Sequence, residues 1–296
     1  MTATTPTPTN AFRELDKLLH RIHEVSTLPA SVTRIVDVSQ SPLSDVNDLA
    51  AVIESDPAIA ARVLRYANSV VNGLRHPITT LPQAISYLGF SQIRNLAVTA
   101  SVCKIFQKEV TAGTYSRRGL WKHMASVALT SKMIAEAKGV FNPEEVFLAG
   151  LFHDLGIILE DQYLHEQFVE MMTHYPKGRT LVQAEQQTFG FDHTILGYCV
   201  ARRWRLPELV QAAIRHHHDY RYEGVYAQAI ACVELANVLC TSKGISSVGV
   251  PLAQMSPSVL NHLKIERHEI RELIDKMNER LDQNQQLLSL PGTKVA

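Results

Sequence analysis

The chain has 296 residues, with 29 Lys and Arg against 29 Asp and Glu, and 46% of its residues are hydrophobic. That length and apolar content allow one large buried core or two modest ones, and a net charge of zero excludes the broad basic surface of a typical nucleic-acid binder. No apolar run reaches the length of a membrane span, and the N-terminal MTATTPTPTNAF has no apolar signal core, so neither a membrane nor nucleic acid is expected as a partner.

Four scattered cysteines, Cys103, Cys199, Cys232 and Cys240, form no CxxC pair. They fit reduced, buried thiols in the cytoplasm. Leu, Ala, Gln, Glu and Arg are frequent and aromatics make up only 7%, which predicts a mostly helical protein. Residues 1–9 alternate Thr and Pro and read as a disordered tail. A first helix starts near Asn10 in AFRELDKLLHRIHEV, and ASVTRIVDVSQ follows Pro29. Ser44 is the expected N-cap of the next helix. Asp56 caps the one after, with Pro57 at its first position. TTLPQAISYLGFSQIRNLAVTASVCKIF reads as two helices broken at Leu88-Gly89. A soft boundary falls near residues 108–118.

The second half opens with SRRGLWKHMASVALTSKMIAEAKG, a helix that Gly139 stops. PEEVFLAGLFHDLGIILEDQY comes next, and Gly156 is expected to loosen a helix end beside His153 and Asp154. HEQFVEMMTHY and TLVQAEQQTFG are two further helices. DHTILGYCVARRWRL is capped by Asp192, and PELVQAAIRHHH has Pro207 in its first turn. VYAQAIACVELANVLCTSKG is long and nearly all apolar, hence expected to be central. One or two peripheral amphipathic helices fill residues 257–290. No strand pattern stands out.

The histidines are concentrated. His123, His153, His193, His217 and His218 each fall at or near the edge of an apolar helix, and Asp154 adjoins His153. One histidine beside an apolar face is ordinarily a hydrogen-bonded core or surface residue. Four helices that offer imidazole or carboxylate to one point describe a metal site. Neutral imidazole is the common ligand of transition metals, and a carboxylate can bridge two ions. The set suits a divalent transition metal, one or two ions of iron or manganese first, zinc or nickel next, over magnesium or calcium. His216 and Asp219 are expected to face solvent or to support the ligands. His20, His23, His76, His165, His174 and His262 read as surface residues.

LWKHMASVAL, EEVFLAGLFHDLG, FGFDHTILGYCVARRWRLPELVQAAIRHHH and ACVELANVLC together resemble the HD superfamily, and specifically the HDOD output domain of bacterial signalling proteins. LPASVTRIVDV, LAAVIESDPAIAARVLRYANS and ITTLPQAISYLGFSQIRNLAV look like its N-terminal helices. The resemblance spans roughly residues 20–245. It implies an all-α fold, with an N-terminal helical bundle (10–108) packed on an HD-type helical domain (118–245). His123 matches the superfamily's first histidine and His153-Asp154 its doublet, which hold a metal that activates water for phosphate-ester hydrolysis. His193, His217 and His218 match the further histidines with which HD-GYP phosphodiesterases hold two ions. The sequence departs from that pattern twice. The terminal aspartate position is Asn237, a neutral and weaker ligand, and YRYEGVYAQ follows HHHD where a GYP motif would stand.

The resemblance implies a regulatory signalling module that is non-catalytic, keeps its metal site and works through protein partners. The alternative is a metal-dependent phosphohydrolase acting on a nucleotide or cyclic dinucleotide. Asp154 would then bridge two ions, and Lys122, Arg117, Arg118 and Arg215 would be the candidate phosphate contacts. An oxygen-activating di-iron enzyme shares the mixed His and Asp shell, but no residue here names an organic substrate.

Overall fold

The computed structural model describes residues 15–22, 30–70, 76–175, 178–219, 221–249, 256–266 and 268–290. The expected disordered tail and the helix start at Asn10 lie outside these residues. Helices carry nearly all the regular structure, so the fold is all-α. Among the described residues no helix is long and apolar enough to cross a membrane. The chain forms two units, Met1–Thr27 with Lys108–Asn278, and Leu28–Gln107 with Glu279–Ala296.

The second of these contains α2 (Ala30–Gln40), α3 (Val46–Glu54), α4 (Pro57–Val70), α5 (Leu81–Leu88) and α6 (Phe90–Val102), then a short 3-10 turn, Cys103–Phe106. Ile35, Leu49, Ile53, Ile59 and Ile93 are fully enclosed in its core. Local chemistry sets the helix starts. Asp56 Oδ1 accepts the Ala58 and Ile59 N–H groups at 3.1 and 3.2 Å, with Pro57 opening α4 as expected. The cap of α3 is Asp45, not Ser44. Its carboxylate takes the Asn47 and Asp48 N–H groups at 2.7 and 3.1 Å, and Asp48 closes the box on the Asp45 N–H at 2.9 Å. Between α5 and α6, Gly89 sits at φ 85°, where a side chain would be strained. Late in the chain Arg62 donates to the Ser289 carbonyl at 3.1 Å, and Tyr66 hydrogen-bonds Asn284.

The first unit begins with α1 (15–22) and resumes with a hairpin absent from the sequence reading. Strands β1 (Thr111–Ala112) and β2 (Tyr115–Ser116) pair antiparallel. Two residues per strand are too few to show an alternating pattern. Then come α7 (Arg117–Lys138), α8 (Pro143–Phe152), α9 (Leu155–Tyr163), α10 (His165–Thr173), α11 (Leu181–Phe189), α12 (His193–Arg203), α13 (Glu208–His216) and α14 (Ala227–Ser242). Gly139 stops α7 in the left-handed conformation, as expected. Helix α14 packs against α7, α8, α13 and α15 (Pro257–Leu263), which explains its nearly all-apolar sequence. The tail holds three helices, α15, α16 (Glu269–Gln283) and α17 (Gln285–Leu288). Leu263, Leu273, Met277, Leu281 and Leu288 are buried, so each of these helices buries an apolar face.

Candidate metal centre

Four pieces of chain deliver the site. His123 projects from the middle of α7, His153 and Asp154 form the turn between α8 and α9, His193 opens α12, and His217 and His218 follow the end of α13. Helix α8 stops at Phe152, and Asp154 takes the non-helical φ −99°, ψ 20°. Gly156 does not loosen this turn. It packs against the backbone of His193, and a Cβ there would meet the His193 carbonyl. The absent side chain sets the approach of α9 to α12. Gly156→Ala is expected to destabilise the fold by about 1–3 kcal/mol through overpacking and to displace His193, read by chemical unfolding.

The imidazoles meet around one carboxylate. Asp154 Oδ2 lies 3.1 Å from His153 Nε2 and 3.5 Å from His123 Nε2. Its Oδ1 lies 3.4 Å from His217 Nε2 and 3.5 Å from His193 Nε2. Two clusters share Asp154, one with His123 and His153, the other with His193, His217 and His218. In each, the donor atoms lie within 4.8 Å of one another. His218 is the exposed member; His123, His153, His193 and His217 are fully buried.

The Nδ1 atoms fix the tautomers. His123 donates to the Ile245 carbonyl and His153 to the Gly150 carbonyl, both at 2.8 Å. His217 donates to the Ala213 and Ile214 carbonyls at 3.2 and 3.1 Å. A carbonyl only accepts, so Nδ1 carries the proton and Nε2 keeps its lone pair. Yet His123 Nε2 stands 3.3 Å from His153 Nε2, and His193 Nε2 3.4 Å from His217 Nε2. The facing lone pairs of His123 and His153 repel at that range unless positive charge lies between them, and between His193 and His217 a proton or a metal ion can supply that charge. This nitrogen-rich set with one carboxylate fits a transition-metal ion.

The electrostatics divide the histidines. Burial pushes His123 and His217 down to about 4, so both are neutral near pH 7. Burial opposes the charge on Asp154, but the surrounding histidines, His153 first, hold its carboxyl well below the usual range. Burial works against charge on His193 too, but Glu185 outweighs it and raises His193 to about 9. Glu185 was not singled out from sequence. Its Oε2 accepts both the His193 Nδ1–H, at 2.7 Å, and the His193 backbone N–H, at 3.1 Å. Beside it, burial and the Glu185 charge raise the Glu160 acid well above the ordinary range. Both Glu160 oxygens and Glu185 Oε1 are buried without a donor. A proton retained on Glu160 removes the repulsion between the two buried carboxyls.

A cavity of about 440 Å³ adjoins the cluster, lined by Asp154, His217 and His218 and, across from them, by Tyr175, Arg179, Thr180, Gln183, Glu234, Asn237, Thr241 and Ser246. Asn237 thus faces the site, and its Oδ1 accepts from the Thr241 hydroxyl at 3.4 Å. None of the cations expected at a phosphate lines this cavity. Arg117 is buried against Asp161, Arg118 pairs with Glu109 at 3.4 Å, Arg215 donates to the Thr194 hydroxyl at 3.1 Å, and Lys122 is exposed. Among the described residues Arg179 is the cation lining the cavity. His216 hydrogen-bonds Asp219 at 3.3 Å, away from the cluster.

Burial raises Glu234 to about 7 from an ordinary 4.5. The unfolded chain therefore loses this proton at lower pH than the folded chain. Stability falls as pH rises between those two values and is flat beyond them. Glu234→Gln is expected to gain on the wild type as pH rises through that window, measured by urea unfolding at a series of pH values.

The pattern described as the HDOD domain matches residues 25–220. A solved HDOD domain protein from Geobacter sulfurreducens, its function unknown, is 27% identical with a TM-score of 0.71, covering 96% of this chain and 99% of that one. A Shewanella amazonensis protein provisionally described as a phosphohydrolase is 19% identical with a TM-score of 0.72, covering 92% and 96%. A Marinobacter aquaeolei protein provisionally described as acting in signal transduction is 20% identical with a TM-score of 0.73, covering 97% and 67%. The last two likenesses show the fold alone. An uncharacterised Treponema pallidum (strain Nichols) protein is 24% identical over 253 residues, 84% of this chain and 48% of that protein, so the chain spans about half the length of this curated relative. Matched over residues 25–220 in sequence and along almost its whole length in structure, the chain belongs to the HDOD family.

Proposed function

We propose that the chain is a cytoplasmic regulatory module whose His and Asp cluster holds one or two divalent transition-metal ions, iron or manganese ahead of zinc or nickel. The metal and a ligand entering the adjoining cavity would set what signalling partners recognise. The observation that carries this is Asp154, one carboxylate set between two pairs of imidazole Nε2 atoms. His123, His153 and Asp154 would hold one ion. Asp154, His193, His217 and His218 would hold the other. Asn237 offers a neutral amide oxygen where the superfamily pattern has its second carboxylate.

A second reading is hydrolysis of a phosphate ester, with a nucleotide or cyclic dinucleotide as substrate. What favours it is the cavity, which reaches Asp154, His217 and His218. A divalent ion held there polarises phosphoryl oxygens and lowers the pKa of water. Arg179 would meet substrate phosphate, while Arg215 and Lys122 would not. Metal analysis of untagged protein, followed by a screen of nucleotides and cyclic dinucleotides against wild type and Asp154→Ala, separates the readings. Bound metal without turnover supports the module. Turnover lost in Asp154→Ala supports the hydrolase. Failure to take up metal on reconstitution sinks both.

A further inference from the structure

We infer that the two half-sites are unequal, that the His193 half-site fills first, and that Glu185, which is not itself a ligand, sets that order. This rests on the metal reading above. The groups behind the imidazoles carry the argument. His123, His153 and His217 all lean on neutral backbone carbonyls through Nδ1. His193 alone among these four leans on a carboxylate, at 2.7 Å. A carboxylate behind an imidazole increases electron density at the far nitrogen and fixes the ring's direction, and such partners typically govern metal affinity by about 10- to 100-fold. The bond is charge-assisted and fully enclosed, so solvent does not screen it.

Glu185 is also held rigidly. Its helix, α11, starts at a Thr180 capping box with Gln183 and stops at Gly190 in the left-handed conformation. The carboxylate takes the His193 backbone N–H at 3.1 Å as well as the ring, so ring and backbone are set together. Glu160 adjoins it with two oxygens that find no donor, as does Glu185 Oε1. Donor count acts in the same direction, since the His193 half-site has three histidines and the His123 half-site has two.

The test is calorimetric titration of the metal-free full chain with Mn(II). Wild type is expected to show two events. In Glu185→Gln the tighter event weakens by about 10- to 100-fold while the weaker one is unchanged. Glu160→Gln leaves the Glu185–His193 bonds in place and is expected to keep both events. Thermal unfolding of the metal-free proteins checks that the variants fold. Should Glu185→Gln not fold, Glu185→Asp keeps the charge on a shorter arm and is expected to weaken the tighter event alone. An unchanged tighter event, or equal weakening of both, overturns the role of Glu185, the latter because a merely structural defect acts on both half-sites. A single wild-type event overturns the order of filling while leaving the metal reading standing. No binding by wild type overturns both.

Discussion

Asp154→Ala is expected to abolish uptake of both ions, not of one. Each half-site depends on a different oxygen of the same carboxylate, Oδ2 toward His123 and His153, Oδ1 toward His193 and His217. The other candidate ligands are neutral, so its removal takes away the centre's anionic donor. A ligand present at 100 times its Kd stabilises the folded state by about 2.7 kcal/mol. Wild type should therefore gain about that much from each ion when Mn(II) is at 100 times the Kd of its half-site, and Asp154→Ala should gain nothing. Thermal unfolding with and without Mn(II), alongside elemental analysis, reads both effects. Asp154→Asn separates charge from shape: it fills the same space with a neutral donor and is expected to bind far more weakly than wild type. Metal retained at full stoichiometry by Asp154→Ala would remove the shared carboxylate from the centre of the mechanism.

The histidine cluster was legible because its members sit at helix ends and along one helix face, where local pattern predicts position. His153 and Asp154 close α8, His193 follows the Asp192 cap, and His217 ends α13. Glu185 was not legible. In TLVQAEQQTFG it stands among polar residues and looks solvated, and it is buried where the chain turns back at His193 and where Glu160 of α9 adjoins it. Asp45 could have been preferred to Ser44, since Asp48 lies three residues on and completes a capping box. Arg117 misled by closeness in sequence. At about 100° per residue, six residues place it about 240° around α7 from His123, on another face. The same geometry shows why the cavity's own cation, Arg179, came from a loop before α11 whose position no helical period announces.

Arg117 has a different task, and its removal is expected to be the most destabilising single change considered. Arg117→Ala should cost about 3–5 kcal/mol, the range for stripping one partner from a buried ion pair. Asp161 is fully enclosed, and Arg117 Nε reaches its Oδ2 at 2.5 Å. The Tyr115 hydroxyl donates to the same oxygen at 2.8 Å, and His165 Nδ1 lies 3.0 Å from Oδ1. Arg117 Nη1 also donates to the Lys108 carbonyl at 3.2 Å. These bonds tie β2, the start of α7 and the far end of α9 together. Without the guanidinium, Asp161 stays buried with one hydroxyl and a half-exposed imidazole to offset its charge. Asp161→Asn should cost less, because the amide still accepts from Tyr115 while the stranded charge moves to Arg117, nearer the surface. Replacing both, Arg117→Met with Asp161→Leu, should recover much of the loss, since a packed apolar pair needs no compensation. Urea unfolding of the three variants measures this directly. A phosphate-binding Arg117 would give the opposite pattern: stability unchanged and ligand affinity lost. Both α7 and α9 carry or adjoin ligands of the centre, so a loosened pair should also weaken metal binding in proportion to the lost stability, whereas Asp154→Ala removes the metal and leaves this ion pair intact.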